Sequence, residues 1–367
     1  MPVLACDVGS LPLTTDPALL KRGASDVLRP GRASSGAAAE FKRVVTSALK
    51  DKLSAGLDIP TYPQFRDMNE MFLSMLSGIE KLEGGYVEVG RLSVVDARIP
   101  EVVVAKEAAG ELAAQLGLER VRLRVCITGP HTLSFCFAFR SPGLLARLGR
   151  GLADVVRANV IKGKHLEVAI LALDEPTFGT VDDPLVEHGS EGREALLKAW
   201  EEVLGAARAK GATTCLHLHS TSDGLFWQVA SLRLVESHVD DPIYRLEETK
   251  ELLDEHDKAL RASICRTDFD QLIRERILAE EPGASEARIS EALGSTWRAI
   301  KAGRVEPSTF LEPVELLLKR LKAIIKRFGP ERVPMAGPEC GLRAFPTYGT
   351  AIECLRRSAA ACRLVSY

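Results

Sequence analysis

Short apolar or β-branched runs alternate with long amphipathic stretches along most of this chain. The apolar runs fall at residues 3–8, 57–62, 121–128, 168–174, 213–219, 232–236, 260–266 and 333–336. Their lengths and their few interior polar positions suit strands buried on both faces. Between them, residues 41–55, 100–116, 142–162, 193–210 and 312–328 place apolar side chains at helical spacing. Several of these stretches have Pro or Ser near the start and Gly just past the end, as helix termini favour. Eight such runs alternating with helical stretches predict an α/β protein, a single (β/α)8 TIM barrel over residues 1–367. Two stretches interrupt the alternation. Residues 84–98 (Gly-Gly-Tyr-Val-Glu-Val-Gly-Arg and onward) predict an inserted hairpin, and the charged residues 281–302 a helical insertion. Residues 23–36, rich in Gly, Ser, Arg and Pro, are expected to form a mobile loop.

Composition narrows the function classes. The 367 residues are 46% hydrophobic with a formal net charge of −2, enough for a large core. Basic residues are dispersed, which argues against nucleic acid as a partner. No run of about 20 apolar residues occurs and the start lacks an apolar leader, which argues against a membrane. Eight cysteines stand singly with no Cys-x-x-Cys pair. A reducing, cytoplasmic location is the expectation.

In a barrel of this kind the chemistry sits at the C-terminal ends of the strands. The polar residues of interest fall there: Gly9-Ser10, Gln64, Gly129-Pro130-His131, Asp174-Glu175-Pro176, His217, His219, Glu236 and Cys340. Cys215, His217 and His219 share one strand face, because alternate side chains point the same way. Imidazole, carboxylate and thiolate together are the ligand set of zinc, so His217, His219, Glu236 and Cys340 are the candidate ligands. Taken singly, each histidine also reads as a hydrogen-bonded core residue and Cys340 as a small apolar one. Asp174 could hold a substrate ammonium group, or cap the turn before Pro176. Gly9-Ser10 could present backbone and hydroxyl groups to a carboxylate. His131 reads as structural.

In order, Val8-Gly9-Ser10-Leu11-Pro12, Gly56-Leu57-Asp58, Thr128-Gly129-Pro130, Asp174-Glu175-Pro176, His217-Leu218-His219, Glu236 and Gly337-Pro338-Glu339-Cys340-Gly341-Leu342 resemble the catalytic barrel of cobalamin-independent methionine synthase. The resemblance spans nearly the whole chain and implies a zinc barrel that methylates the sulfur of homocysteine. It implies that Val8, Gly9, Ser10, Gln64 and Asp174 bind the amino acid, with Asp174 on its ammonium group. It implies that His217, Glu236 and Cys340 ligate the metal, and it puts His219 where the family carries a cysteine. A shifted register would leave Thr221 at that position instead.

The departures bear on the methyl donor. The length leaves no room for the family's extra N-terminal barrel, which likens the chain to the short core members. Gln64 stands in place of a homocysteine-binding glutamate, Cys136 in place of a folate-stacking tryptophan, and Thr180 in place of a folate-binding glutamate. The family's proton-donating histidine is replaced within Ile264-Cys265-Arg266-Thr267. The expected donor is therefore not a folate but methylcobalamin or a methyl-corrinoid protein. Two other readings remain open. One is a zinc barrel acting on another thiol such as coenzyme M, or a uroporphyrinogen-decarboxylase-like enzyme. The other is a non-catalytic barrel that binds a corrinoid or a partner protein.

Overall fold

The computed structural model describes residues 2–365. Its strands are β1 (Leu4–Ala5), β2 (Leu76–Leu82), β3 (Gly85–Val94), β4 (Val121–Thr128), β5 (Leu166–Glu175), β6 (Thr213–Leu218), β7 (Leu234–Glu236), β8 (Ala259–Cys265) and β9 (Met335–Pro338). Seven of them form one curled parallel sheet in the order β1-β9-β8-β7-β6-β5-β4. Helices pack on its outer face against buried side chains such as Val125, Ile127, Leu171, Leu173 and Leu216, which alternate along the strands with Asp174 and His217 on the inner face.

The ladder stops short of a closed barrel. In the gap between β1 and β4 lie residues 57–64, of which 57–62 are expected as a strand, and they make only isolated parallel bridges, Cys6 with Ile59, Ser10 with Gln64 and Thr61 with Arg124. Pro60 and Pro63 explain this, since neither has an N–H to donate to a ladder. Side chains take over the missing bonds. Asp7 accepts from the Thr61 N–H at 2.7 Å, and the Thr61 hydroxyl donates to the Asp7 carbonyl at 2.6 Å. The buried Lys52 ammonium donates to Asp7, to the Gly9 carbonyl and to the Thr61 carbonyl at 2.6–3.0 Å. All three of its donors are used, which is what makes burying that charge tolerable.

The helix termini follow local rules. Ser141 caps the helix Pro142–Asn159 and Ser190 the helix Glu191–Ala209 through side-chain bonds to backbone N–H groups. Two expectations shift. The hairpin is longer than residues 84–98, running from Leu76 through the turn at 83–84 to Val94. Its tip is anchored where Tyr86 exchanges backbone hydrogen bonds with Cys136 and Ala138. The loop expected at 23–36 is helical in its first part, within Pro17–Leu28. Gly23 sits there because that helix crosses the next at close range. A Cβ on it would lie 2.3 Å from the Ala37 carbonyl and 2.6 Å from Phe41. The helix Glu286–Lys301 occupies the expected insertion at 281–302.

Candidate metal centre

Strand register sets the first row of the site. Asp174 on β5 pairs with His217 on β6, and His217 pairs with Glu236 on β7. All three are buried, at the same level and on the same face of the sheet. The neighbouring Glu175 points the other way. It accepts from the His131 and Thr132 N–H groups and from the Trp200 indole at 2.7–2.9 Å, a structural carboxylate with its oxygens occupied. Asp174 keeps Oδ1 without a partner. Burial pushes its carboxyl well above the usual range, with Glu236 and Glu175 adding and Arg124 opposing.

Four atoms able to ligate a metal converge beside this row. His217, His219, His238 and Cys340 bring theirs within 4.8 Å of one another. Cys340 Sγ lies 3.9 Å from His217 Nε2 and 3.6 Å from His219 Nε2. A tetrahedral zinc with its usual bond lengths would hold sulfur and nitrogen about 3.5 Å apart, so small movements would complete the shell. His238 Nε2 is buried with no partner, as a waiting ligand atom would be. Burial, with His217 and His238 alongside, lowers His219 to a pKa of about 3, so its imidazole is neutral and its lone pair free. Burial likewise lowers His217. The Cys340 thiol is pushed up to about 12 by burial, so metal binding there would expel a proton.

Glu236, expected as a ligand, is placed otherwise. Its carboxylate receives both Arg124 Nη atoms, at 2.6 and 2.8 Å, and has Arg261 Nε at 3.3 Å. His217 Nδ1 lies 2.8 Å from its Oε1, off the line of an ideal hydrogen bond. With three such neighbours the carboxylate stands behind His217 rather than in the ligand group. It fixes which ring nitrogen faces the other ligands, the usual work of a carboxylate backing a metal-binding histidine. Burial opposes its ionisation, yet Arg124 and Arg261 outweigh this and hold the carboxyl well below the usual range.

The loops carrying the candidate ligands are tied together by two carboxylates. Glu339 accepts from the N–H groups of Val239 and Thr267, at 2.8 and 2.9 Å. Asp241 accepts from the Thr221 N–H, the Ser237 hydroxyl and the Ile243 N–H, at 2.7–2.9 Å. These bonds join the segments after β6, β7, β8 and β9, and so position His219, His238 and Cys340.

Several of the residues expected to hold the amino acid pack against one another. Gly9 has φ +146°, and a Cβ there would come within 2.8 Å of Gln64 Oε1. Gly341 meets Ser10 closely; a Cβ would lie 2.0 Å from the Ser10 hydroxyl. The Leu342 N–H donates to the Ser10 carbonyl and the Leu11 N–H to the Gln64 carbonyl. Ser10 is thus wedged between Gln64 and the turn after Cys340, with Val8 buried beneath. The Gln64 amide donates to the Tyr62 hydroxyl at 2.9 Å. Cys215 is buried and outside the ligand group. His131 is a buried hydrogen-bonded residue, 2.9 Å from both Asp183 and Thr177.

Sequence reasoning missed His238, Arg124, Arg261, Glu339 and Asp241. One signal was available: Arg124 and Arg261 interrupt otherwise apolar strands, and a guanidinium there needs a buried counter-charge.

No family model matches the sequence, and no curated protein matches it significantly. Solved structures do resemble it. A B12-independent methionine synthase from Shewanella sp. W3-18-1, in complex with selenomethionine, superposes with a TM-score of 0.62 at 14% identity, over 99% of this chain and 98% of that one. A protein of Listeria monocytogenes provisionally assigned as a vitamin-B12-independent methionine synthase gives 0.58 at 15%, over 99% and 97%. At these identities the likeness is one of fold.

Proposed function

We propose that this chain is a zinc-dependent S-methyltransferase that moves a methyl group onto the thiol of homocysteine, forming methionine. The observation that carries the reading is the convergence of His217, His219, His238 and Cys340 within 4.8 Å, beside the buried Asp174 with its free Oδ1. We read the fold as a (β/α)8 barrel in which residues 57–64 take the place of the second strand, so that the site lies at the strands' C-terminal ends. Because the likeness to the Shewanella and Listeria proteins is one of fold, the substrate assignment rests on the site residues.

Bound by these four residues, zinc would supply the Lewis acidity that keeps a substrate thiol deprotonated near neutral pH. Asp174 Oδ1 receives the amino acid's ammonium group, whose charge favours the ionised carboxylate that burial otherwise disfavours. Ser10 and the backbone around Gly9 receive the carboxylate. Holding both ends aims the sulfur at the incoming methyl carbon. Asp174 also selects against a sulfonate thiol such as coenzyme M, which would call for Arg or Lys at that place.

The donor in this proposal is methylcobalamin or a methyl-corrinoid protein. The S–CH3 bond forms as the Co–CH3 bond breaks, its electron pair staying on cobalt. Against a folate donor stand Cys136 and Thr180 at the two folate-contact positions. The Cys136 carbonyl is bonded to Tyr86, and the Thr180 hydroxyl is turned back to the Pro176 carbonyl.

The test is methionine formation from homocysteine by zinc-replete protein, with methylcobalamin and methyltetrahydrofolate as alternative donors. Turnover with the corrinoid is expected. Turnover with the folate alone would overturn the donor assignment. Full activity in protein proven free of metal would overturn the whole reading.

A further inference from the structure

A second candidate binding site lies between the helix Pro17–Leu28, the segment 65–75 and residues 95–100, just past the base of the hairpin. It is a cavity of about 740 Å³, and none of the four grouped ligands lines it. That volume falls within the usual range for small organic ligands, roughly 300–1,000 Å³. The floor is apolar, formed by Leu20, Phe65, Met71 and Met75, with two thioethers able to adapt to an irregular guest. Leu13 and Val95 leave apolar surface exposed at the rim, Val95 with 73% of its area in solvent.

The charges around this floor are unequal in what they have left to offer. Arg66 is held by Glu101 at 2.7 Å and Arg98 by Asp96 at 2.6 Å. Lys21 and Lys81 both engage Glu70. Asp67 caps the helix Met68–Leu73 through the Asn69 and Glu70 N–H groups. Each rim carboxylate is thus engaged. Arg29 and Arg343 also line the cavity, and the guanidinium of neither has an ion-pair or hydrogen-bond partner among the described residues.

We propose that this cavity binds an amphipathic organic anion, its apolar body on Leu20, Phe65, Met71 and Met75 and its carboxylate, sulfonate or phosphate between Arg29 and Arg343. Apolar burial supplies most of the affinity. The two uncommitted guanidinium groups supply the selection for negative charge, as planar cations well matched to such oxyanions. The proposal goes beyond the methyl-transfer reading and does not depend on it.

The experiment titrates metal-free protein with 8-anilinonaphthalene-1-sulfonate and, in parallel, with the neutral N-phenyl-1-naphthylamine. Saturable binding of the sulfonate is expected. The double variant Arg29→Gln/Arg343→Gln should weaken the sulfonate about fivefold or more and leave the neutral probe unchanged. Ser25→Trp, which adds an indole from the helix that walls the cavity, should abolish both. Decanoate should displace the sulfonate where decanol at equal concentration does so less well. The proposal is overturned if the sulfonate does not bind saturably, if the double variant binds it as tightly as the parent, or if Ser25→Trp blocks neither probe. Unchanged thermal midpoints establish that the variants are folded. Since neither metal nor turnover is measured, failure here leaves the methyl-transfer reading untouched.

Discussion

Glu339, the residue before Cys340, accepts the backbone N–H of Val239, the residue after His238, at 2.8 Å. One carboxylate therefore sets the distance between two of the four candidate ligands, and its second oxygen holds Thr267 in the loop after β8. Glu339→Gln keeps the size of the side chain but gives up one of the two acceptors. The expected result is a folded protein whose zinc affinity falls about 10–100-fold, the usual cost of losing a residue that orients ligands. Competition against a fluorescent chelator measures it.

Cys340 and Cys215 separate ligand from core. Cys340 is half-buried and faces two imidazoles, whereas Cys215 is fully buried two residues deeper on β6 than His217. Cys340→Ser should abolish stoichiometric zinc and methyl transfer, and Cys215→Ser should retain both. Metal analysis by mass spectrometry reads the difference. Equal loss in both variants would contradict the arrangement.

Much of this arrangement was legible in the sequence, and the reasons for the rest are physical. The apolar runs at 121–128, 168–174 and 213–219 mark strands, and their final polar residues mark the row in which Asp174 and His217 pair. Those readings depend only on local hydrophobicity and on the alternation of side chains. Glu236 was read as a ligand because it ends such a run. What redirects it is Arg124, 112 positions away, and no local pattern announces a partner that distant. His238 was passed over because it lies in a loop, where only the tertiary bonds of Glu339 and Asp241 fix its direction. Residues 57–62 read as a strand by hydrophobicity, and Pro60, with Pro63 just beyond, leaves the segment with isolated bridges. Gly23 looked like a loop residue but serves a close helix crossing.

Glu236 also governs acid stability. Its folded pKa is depressed, so its contribution is fully present above the unfolded value of about 4.3 and is lost as pH falls through the folded value. Glu236→Gln leaves the buried Arg124 and Arg261 without their carboxylate, which should cost about 3–5 kcal/mol at pH 7. The variant should also lose part of the parent's decline in stability below about pH 4.3. Urea unfolding between pH 3 and 7 tests both. A variant as stable as the parent at pH 7 would contradict the network.

Asp174→Asn removes the negative charge proposed to hold the ammonium group while leaving the four candidate ligands in place. It should lower kcat/KM for homocysteine about 10–100-fold with zinc content unchanged. A parallel loss of zinc would mean that Asp174 belongs to the metal centre instead.

The most direct test of the central claim is zinc K-edge X-ray absorption on the loaded protein before and after homocysteine is added. The account predicts a shell of one sulfur at about 2.3 Å and nitrogens at about 2.0 Å, with a second sulfur appearing when the thiol binds. A shell without sulfur, or one that homocysteine leaves unchanged, would contradict it.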